Sequence, residues 1–411
     1  LDVEQLEQKW TVHPVLHLDL NTAKYKEPGK LDAVLDKTLS KWEKLYDIKP
    51  HDPDFGMRFE DVIQCAYEKT GELVVVLVDE YDKPLLETIG NKALQDDYRS
   101  TLKSFYGALK SKDDCIKFAM LTGVTKFGKV SVFSDLNNLK DISLDNRYYN
   151  LCGIDEGELH GVFEPYVQCL ADSQNITLDK AYSELKRNYD GYHFSKNMVG
   201  MYNPFSLLNA FDSLEIGSYW FETGTPSYLV ELLKRHDFKL DELKGNKVTA
   251  NVLSAIDASS SNPISVIFQS GYLTISGYNE RYKLYSLDFP NEEVREGFML
   301  YLMPYYTSVS VNKTGFQISC FVEEVKSGDI SGFMTRLESF FANVPYDLIK
   351  DTENHYQNVL FILCNLCGLY TKAEFHTSNG RVDMTIETPD YVYIFEFKYN
   401  GTAEEAMVQI K

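Results

Sequence analysis

Short apolar runs alternate with longer, helix-patterned stretches over the first third of the chain. Apolar runs of strand length lie at 14–20 (PVLHLDL), 73–79 (LVVVLVD) and 116–122 (IKFAMLT). Surface-helix spacing of polar and apolar residues is found at about 31–46, 59–70 and 96–110. Continuous apolar strands in a β–α–β order are typical of a parallel sheet that is buried on both faces. We therefore predict three neighbouring parallel strands with 73–79 in the middle.

The pattern changes twice farther along the chain. From about 156 to 338 it is mostly helical and rich in aromatic residues, which favours core packing over a ligand role. The last part predicts a helix over 353–370, two or three strands over 373–400 and the start of a helix at 404. The expected class is an α/β fold with a helical middle region, divided into 1–160, 161–340 and 341–411.

Composition places the chain among globular proteins with full cores. It has 411 residues, 44% hydrophobic and 25% charged, and it contains no bilayer-length apolar run and no secretory signal. Seven irregularly spaced cysteines argue against a disulfide framework and for a reducing cytoplasm. Cys364 and Cys367 form a single CxxC within VLFILCNLCGLY, which predicts core cysteines on a helix rather than a zinc site. We expect a cytoplasmic protein without a membrane partner.

The net charge of −20 argues against a protein that coats nucleic acid by broad electrostatic attraction. A metal ion and a small basic groove can still bind a phosphate backbone locally. The charge therefore does not exclude a nuclease.

Two charged residues stand on an otherwise apolar strand near the end of the chain. Glu396 and Lys398 lie in YIFEFKYN, and alternation along a strand places them on one face. A hairpin could bring Asp383, in the preceding strand RVDMTIE, beside Glu396. Paired carboxylates repel each other unless a divalent cation lies between them, so the pattern predicts an oxygen-ligand site for Mg²⁺ or Mn²⁺. Lys398 would hold or help deprotonate the attacking water and stabilise charge on a phosphate.

Spacing alone leaves an alternative open, namely an edge strand whose Glu–Lys pair is merely solvated. The surrounding order favours the metal site: a helix with Glu353, a strand with Asp383, a strand with ExK and a helix with Gln409. This order resembles the PD-(D/E)XK nuclease superfamily. The resemblance implies that Asp383 and Glu396 are metal ligands and that Lys398 is the catalytic lysine. It also implies that Glu353 and Gln409 are the first-helix acid and the glutamine after the core.

A second candidate site follows the apolar run 73–79. Asp79 and Glu80 end this run in the form of a Walker B segment, in which Asp79 would hold the shell of a Mg²⁺ ion and Glu80 would polarise the water that attacks a γ-phosphate. A strand that simply ends in a polar loop is the weaker alternative. The pattern favours an ATPase site.

The segment GVTKFGKV (123–130) nearly fits a phosphate-binding loop and follows a strand. However, Val130 stands where a hydroxyl residue would bind magnesium, and the segment follows the Asp79 strand instead of preceding it. We favour the end of the next strand, with Thr122 or Lys126 near the γ-phosphate as sensor-type residues. A true phosphate loop remains the minor alternative.

Several blocks together resemble a bacterial family of AAA-ATPase-like proteins with a C-terminal PD-(D/E)XK nuclease domain: LVDEYDKPLLE, CGIDEGEL, NYDGYHFS, YNPFSLLNAF, QSGYLTI and GRVDMTIE. The resemblance covers nearly all of 10–411. It implies an AAA-ATPase-like domain at 1–160 with a P-loop-ATPase-like parallel sheet, a helical middle or lid region at 161–340, and a restriction-endonuclease-like α/β nuclease domain at 341–411. It further implies Mg²⁺ or Mn²⁺ as cofactor, ATP as ligand of the intact protein, and nucleic acid, expected to be DNA, as substrate.

Family members start with a phosphate loop ahead of a segment like 5–20. The chain starts at Leu1, and the helix predicted from 404 continues to Lys411, so we expect the chain to be a fragment. Without a phosphate loop, we expect this fragment to bind ATP weakly by itself. Two other functions stay open. One is a non-catalytic regulator with degenerate ATPase and nuclease modules, and the other is a nucleotide-driven switch that only binds nucleic acid.

Overall fold

The computed structural model describes residues 9–49, 52–124, 132–133, 136–223, 229–230, 232–233, 238–254, 263–307, 309–342, 352–368, 372–375, 383–398 and 401–410. The described strands are β1 (Val15–Asp19), β2 (Val74–Asp79), β3 (Ile116–Leu121), β4 (Lys247–Thr249), β5 (Thr274–Asn279), β6 (Leu284–Asp288), β7 (Lys372–Phe375), β8 (Met384–Glu387) and β9 (Val392–Phe395).

The described α-helices are α1 (Lys30–Leu45), α2 (Phe55–Thr70), α3 (Lys83–Leu86), α4 (Lys92–Ser111), α5 (Glu156–Gly161), α6 (Glu164–Gln174), α7 (Leu178–Tyr189), α8 (Pro204–Ser213), α9 (Ala250–Ser254), α10 (Ile264–Gln269), α11 (Glu292–Tyr306), α12 (Val311–Ser327), α13 (Ile330–Ala342), α14 (Thr352–Cys367) and α15 (Ala403–Ile410). None of the described helices is both long enough and apolar enough to cross a bilayer.

The chain divides into two compact units, with the change from the first to the second after Asp141. In the first unit β1, β2 and β3 form a parallel sheet with β2 in the middle, which confirms the predicted strand order. One face of the sheet carries Leu16, Val76 and other residues that are almost completely buried in the core. Aromatic rings of α2 and α4 belong to this core, because Phe59 and Phe105 stack with their centroids 4.4 Å apart.

The second unit contains an antiparallel sheet that the sequence analysis missed. Its strands are ordered β4–β6–β5, and they lie within the region predicted to be helical. The mostly helical middle region is confirmed, and this small sheet is an addition to it. Cross-strand contacts explain the difference, because Tyr278 and Tyr285 face each other with ring centroids 4.7 Å apart. Such pairs stabilise a strand only when its partner strand is present, so the sequence of one strand alone gives little indication of them. The three-part domain division stays a prediction.

The C-terminal part of the second unit holds an antiparallel sheet in the order β7–β8–β9. Its buried side packs on helices, and the Phe395 ring of β9 lies 5.3 Å from the Phe333 ring of α13. Cys364 and Cys367 of α14 are 2% and 0% exposed, which agrees with the predicted core role.

A buried ion pair joins the first two helices of the first unit. The Arg58 guanidinium in α2 donates from Nε and Nη2 to the two oxygens of Glu43 in α1, over 2.7 and 2.8 Å, and Nη1 donates to Asp36 Oδ1 over 2.7 Å. The side chains of Arg58 and Glu43 are 8% and 3% exposed, so water cannot replace either partner.

We expect Arg58→Ala to lower the free energy of unfolding by about 3–5 kcal/mol, because the change leaves the Glu43 carboxylate charged and buried without its partner. The control is Lys69→Ala, which removes an exposed ion pair to Asp47 and should cost less than about 1 kcal/mol. Urea unfolding measures both. Equal losses in the two variants would contradict the assigned role of Arg58.

Candidate active site

Asp383 lies immediately before β8, at the end of the β8–β9 ladder. Its backbone amide donates to the Phe395 carbonyl over 3.1 Å, and its Oδ2 accepts from the Phe397 amide over 2.8 Å. The carboxylate thus takes the place of a backbone acceptor where the ladder ends. The predicted strand limits were wrong here: Asp383 precedes its strand by one residue, and Glu396 and Lys398 follow theirs.

Glu396 and Lys398 form an ion pair directly after β9. The Lys398 ammonium donates to Glu396 Oε1 over 2.7 Å. The two members differ in exposure, with 1% of the Glu396 side chain and 30% of the Lys398 side chain exposed. Glu396 Oε2 is buried and has no hydrogen-bond partner within the described part of the chain. One oxygen of a buried carboxylate is therefore left unsatisfied, which is costly unless another ligand binds it.

The carboxylates of Asp383 and Glu396 and the ammonium group of Lys398 are close enough to change each other's pKa. Burial raises the pKa of the Asp383 carboxyl, and the negative charge of Glu396 raises it further. The hydrogen bond from the Phe397 amide and the charge of Lys398 lower this pKa in part. The hydrogen bond to Glu396 is the largest cause of the raised pKa of Lys398, and the charges of Glu396, Asp383 and Glu405 also raise it. Lys398 is thus held in its charged form beside two acids.

These residues fit a hard divalent cation by the chemistry of their donors. Carboxylate oxygens are the ligands that Mg²⁺ prefers, and one or two protein carboxylates with water often suffice for it. The unsatisfied Glu396 Oε2 supplies a donor atom. Among the described residues there is no group of three or more acidic, His or Cys side chains that could hold a metal. Glu353 and Gln409 lie in α14 and α15, but their side chains are outside the described set.

The strand that leads to Glu396 and Lys398 is supported from α12 and α13, a feature that sequence reasoning missed. The Tyr393 hydroxyl donates to the Val325 carbonyl over 2.8 Å. The contact between Phe395 and Phe333 lies on the same side of β9. The signal in the sequence was weak, because the alternation of aromatic residues in YVYIF indicates a buried face without naming what covers it.

The second candidate site lies at the C-terminal edge of the parallel sheet. The Thr122 hydroxyl donates to Asp79 Oδ1, and the Thr122 amide donates to the Val78 carbonyl over 2.8 Å. Asp79 also stands opposite Asp19 in the register of β1 and β2. Two of the predicted residues, Asp79 and Thr122, are therefore in contact. Lys126 lies outside the described residues.

Glu80 adopts the left-handed backbone conformation with φ 57°, which is uncommon for a residue with a side chain. Burial raises the pKa of its carboxyl, and the negative charge of Asp82 raises it further, while Lys83 lowers it. Asp82 is completely buried, and its Oδ1 accepts from the Val124 amide over 3.2 Å. Sequence reasoning did not single out Asp82, although an acid two residues beyond a strand-terminal Asp-Glu pair is visible in LVDEYD.

Comparison with known proteins matches family models to the two regions of the chain that contain the candidate sites. A family model described as a predicted AAA-ATPase matches residues 1–133, and a model of the PD-(D/E)XK nuclease superfamily matches residues 351–411. The chain is 35% identical over 415 residues to an uncharacterized protein in the vnfD 5' region of Azotobacter chroococcum mcd 1, covering 97% of this chain and 77% of the relative. The chain belongs to the AAA-ATPase-like family with a C-terminal PD-(D/E)XK region. No solved structure matches it.

Membership in this family confirms the predicted fold class, with a parallel N-terminal sheet and a C-terminal nuclease-superfamily region. Nucleases of the PD-(D/E)XK superfamily generally use Mg²⁺ or Mn²⁺. The roles of the individual site residues remain predictions.

We expect Glu396→Gln and Asp383→Asn to weaken Mn²⁺ binding by at least about tenfold, because each change removes the charge of one carboxylate donor. Asp390→Asn is the matched control, since it makes the same charge change at an exposed position between β8 and β9. Isothermal titration calorimetry measures the affinities. Unchanged Mn²⁺ affinity in Glu396→Gln would exclude this carboxylate as a ligand.

Proposed function

We propose that this protein is an ATPase-like protein coupled to a Mg²⁺- or Mn²⁺-dependent nuclease that hydrolyses phosphodiester bonds, with DNA as its substrate. The observation that carries the proposal is the Glu396 carboxylate. It is buried and pairs through Oε1 with Lys398, while Oε2 has no hydrogen-bond partner among the residues that the structure describes. A buried carboxylate with only one oxygen paired contributes little to the stability of the fold or lowers it. It suits a site that receives a cation.

The chain's own residues have distinct roles in this proposal. Asp383 and Glu396 hold the cation, and the Phe397 amide fixes the Asp383 carboxylate in place through Oδ2. A bound divalent cation lowers the pKa of water and stabilises negative charge on the phosphate. Lys398 orients the attacking water from the side of Glu396 Oε1 and stabilises charge that develops on the phosphate. Glu353 and Gln409 complete the site by resemblance to the superfamily.

The N-terminal unit has a separate proposed role as an ATP-binding module of the intact protein. Asp79, held by the Thr122 hydroxyl, would bind the shell of a nucleotide-bound Mg²⁺ ion. Glu80 would polarise the attacking water, and its left-handed backbone and half-buried side chain fit a residue under functional constraint. Lys126 stays a proposed sensor of the γ-phosphate.

We expect cleavage of DNA to require Mg²⁺ or Mn²⁺ and to be abolished by Asp383→Ala and Glu396→Ala, because each removes a metal ligand. Lys398→Ala should still bind Mn²⁺ but lower the cleavage rate by about 10²-fold or more, as when one group that stabilises transition-state charge is lost. Single-turnover cleavage of linear and circular DNA, together with Mn²⁺ titration, measures these effects.

Glu80→Gln is the control for the separate sites, and it should leave nucleotide-independent cleavage unchanged. Wild-type cleavage by Asp383→Ala would contradict the nuclease assignment. Absence of metal-dependent cleavage in the wild-type protein, with DNA binding retained, would favour a non-catalytic regulator or a nucleotide-driven switch.

A further inference from the structure

The position of Lys398 depends on the acids around its ammonium group. Its side chain is long and 30% exposed, and the ammonium group donates to Glu396 Oε1 over 2.7 Å. Fixing such a side chain costs conformational entropy. A divalent cation on Glu396 would also offset the charge that attracts the lysine and would repel its ammonium group.

The start of α15 carries a second acid that acts electrostatically on this lysine. Glu405 lies in the first turn of α15, where its Oε2 accepts from the Thr402 amide over 2.8 Å, and the Glu405 amide donates to Thr402 Oγ1 over 3.3 Å. This reciprocal pair is a capping box, which fixes the Glu405 side chain at the start of the helix. The charge of Glu405 also contributes to the raised pKa of Lys398, after those of Glu396 and Asp383.

Gly401 provides the space in which this lysine and this acid approach each other. A Cβ atom on Gly401 would stand 2.8 Å from the Lys398 Cβ and 2.9 Å from Glu405 Oε2. Both distances are shorter than side-chain carbons tolerate. The Lys398 Cβ is attached to the backbone and cannot move aside as the end of a flexible side chain can, so the absence of a side chain at Gly401 leaves room for the lysine.

We propose that Gly401 and Glu405 are positioning residues that hold Lys398 beside the metal site: Gly401 makes room for the lysine stem, and the capped Glu405 carboxylate retains the ammonium group when a cation occupies Glu396. This inference rests on the proposed nuclease function and assigns two residues to it. Neither residue contacts the substrate in this proposal. Both act through Lys398.

The test is a pair of double-mutant cycles on the full chain. Glu405→Gln removes the charge but keeps the cap, because the amide oxygen can still accept from Thr402. Glu404→Gln is the matched control, since it makes the same charge change at the neighbouring, exposed position of α15. Gly401→Ala tests the space, with Gly315→Ala as its control, because a Cβ at Gly315 meets nothing within 4 Å.

We expect Glu405→Gln and Gly401→Ala each to lower the single-turnover cleavage rate by about 10-fold to 100-fold, without changing the KM for DNA. Glu405→Gln should also weaken Mn²⁺ binding several-fold, because a lysine that has lost its second acid competes more strongly for Glu396. In the Lys398→Ala background Glu405→Gln should affect neither the rate nor the Mn²⁺ affinity. Gly401→Ala is combined with Lys398→Gly instead, because alanine at 398 keeps the Cβ that lies 2.8 Å from a Cβ at 401, and in that background Gly401→Ala should leave the residual rate unchanged. The control variants should behave as the wild type does in each background.

The outcomes separate this inference from the proposed function. Equal effects of Glu405→Gln in the presence and absence of Lys398 would overturn the positioning role, even if cleavage itself is observed. If the wild-type protein does not cleave DNA, the proposed function fails. The Mn²⁺ cycle then still decides whether Glu405 acts on Glu396 through Lys398, because it needs no turnover.

Discussion

The burial of the Glu396 carboxylate is the constraint on which the C-terminal site depends. A carboxylate with 1% of its side chain exposed needs compensation for both oxygens, and the fold supplies it for one. Lys398 neutralises Oε1, while Oε2 stays buried without a partner in the described region. Asp383 is held close by the Phe397 amide, which adds a second negative charge instead of relieving the first. A bound cation would compensate the negative charges of both carboxylates.

Support for this site comes from elements on both sides of β9. The Tyr393 hydroxyl and the Phe395 ring tie the strand to α12 and α13, which fixes the direction in which the chain leaves the sheet. After the strand, the capping box of Thr402 and Glu405 fixes the start of α15 near Lys398. The lysine therefore emerges between two anchored segments. Its position is set by tertiary contacts more than by the ExK spacing.

In the N-terminal unit the parallel sheet positions the candidate residues. The middle strand β2 forms parallel pairs with β1 and β3. The carboxyl ends of all three strands therefore lie at the same edge of the sheet. Asp79 and Glu80 are at this edge because an apolar strand of that length ends there, and ligands of open parallel sheets bind at such edges. Thr122, from the next strand, reaches Asp79 for the same reason.

The sequence by itself determined the elements whose signal is local. Continuous apolar runs predicted β1, β2 and β3 and their order. The form of the strand ends, together with the family resemblance, singled out Asp79, Asp383, Glu396 and Lys398 as candidates. It could not predict the β4–β6–β5 sheet, because the pairing of Tyr278 with Tyr285 becomes favourable only when the two strands meet.

Only the tertiary structure decided that Glu396 is buried, with one oxygen that has no partner among the described residues, and that Asp383 accepts a hydrogen bond at the end of its ladder. It also decided that Gly401 and Glu405 flank the lysine. These properties depend on distances between segments, and a sequence pattern carries no information about how closely two segments approach each other.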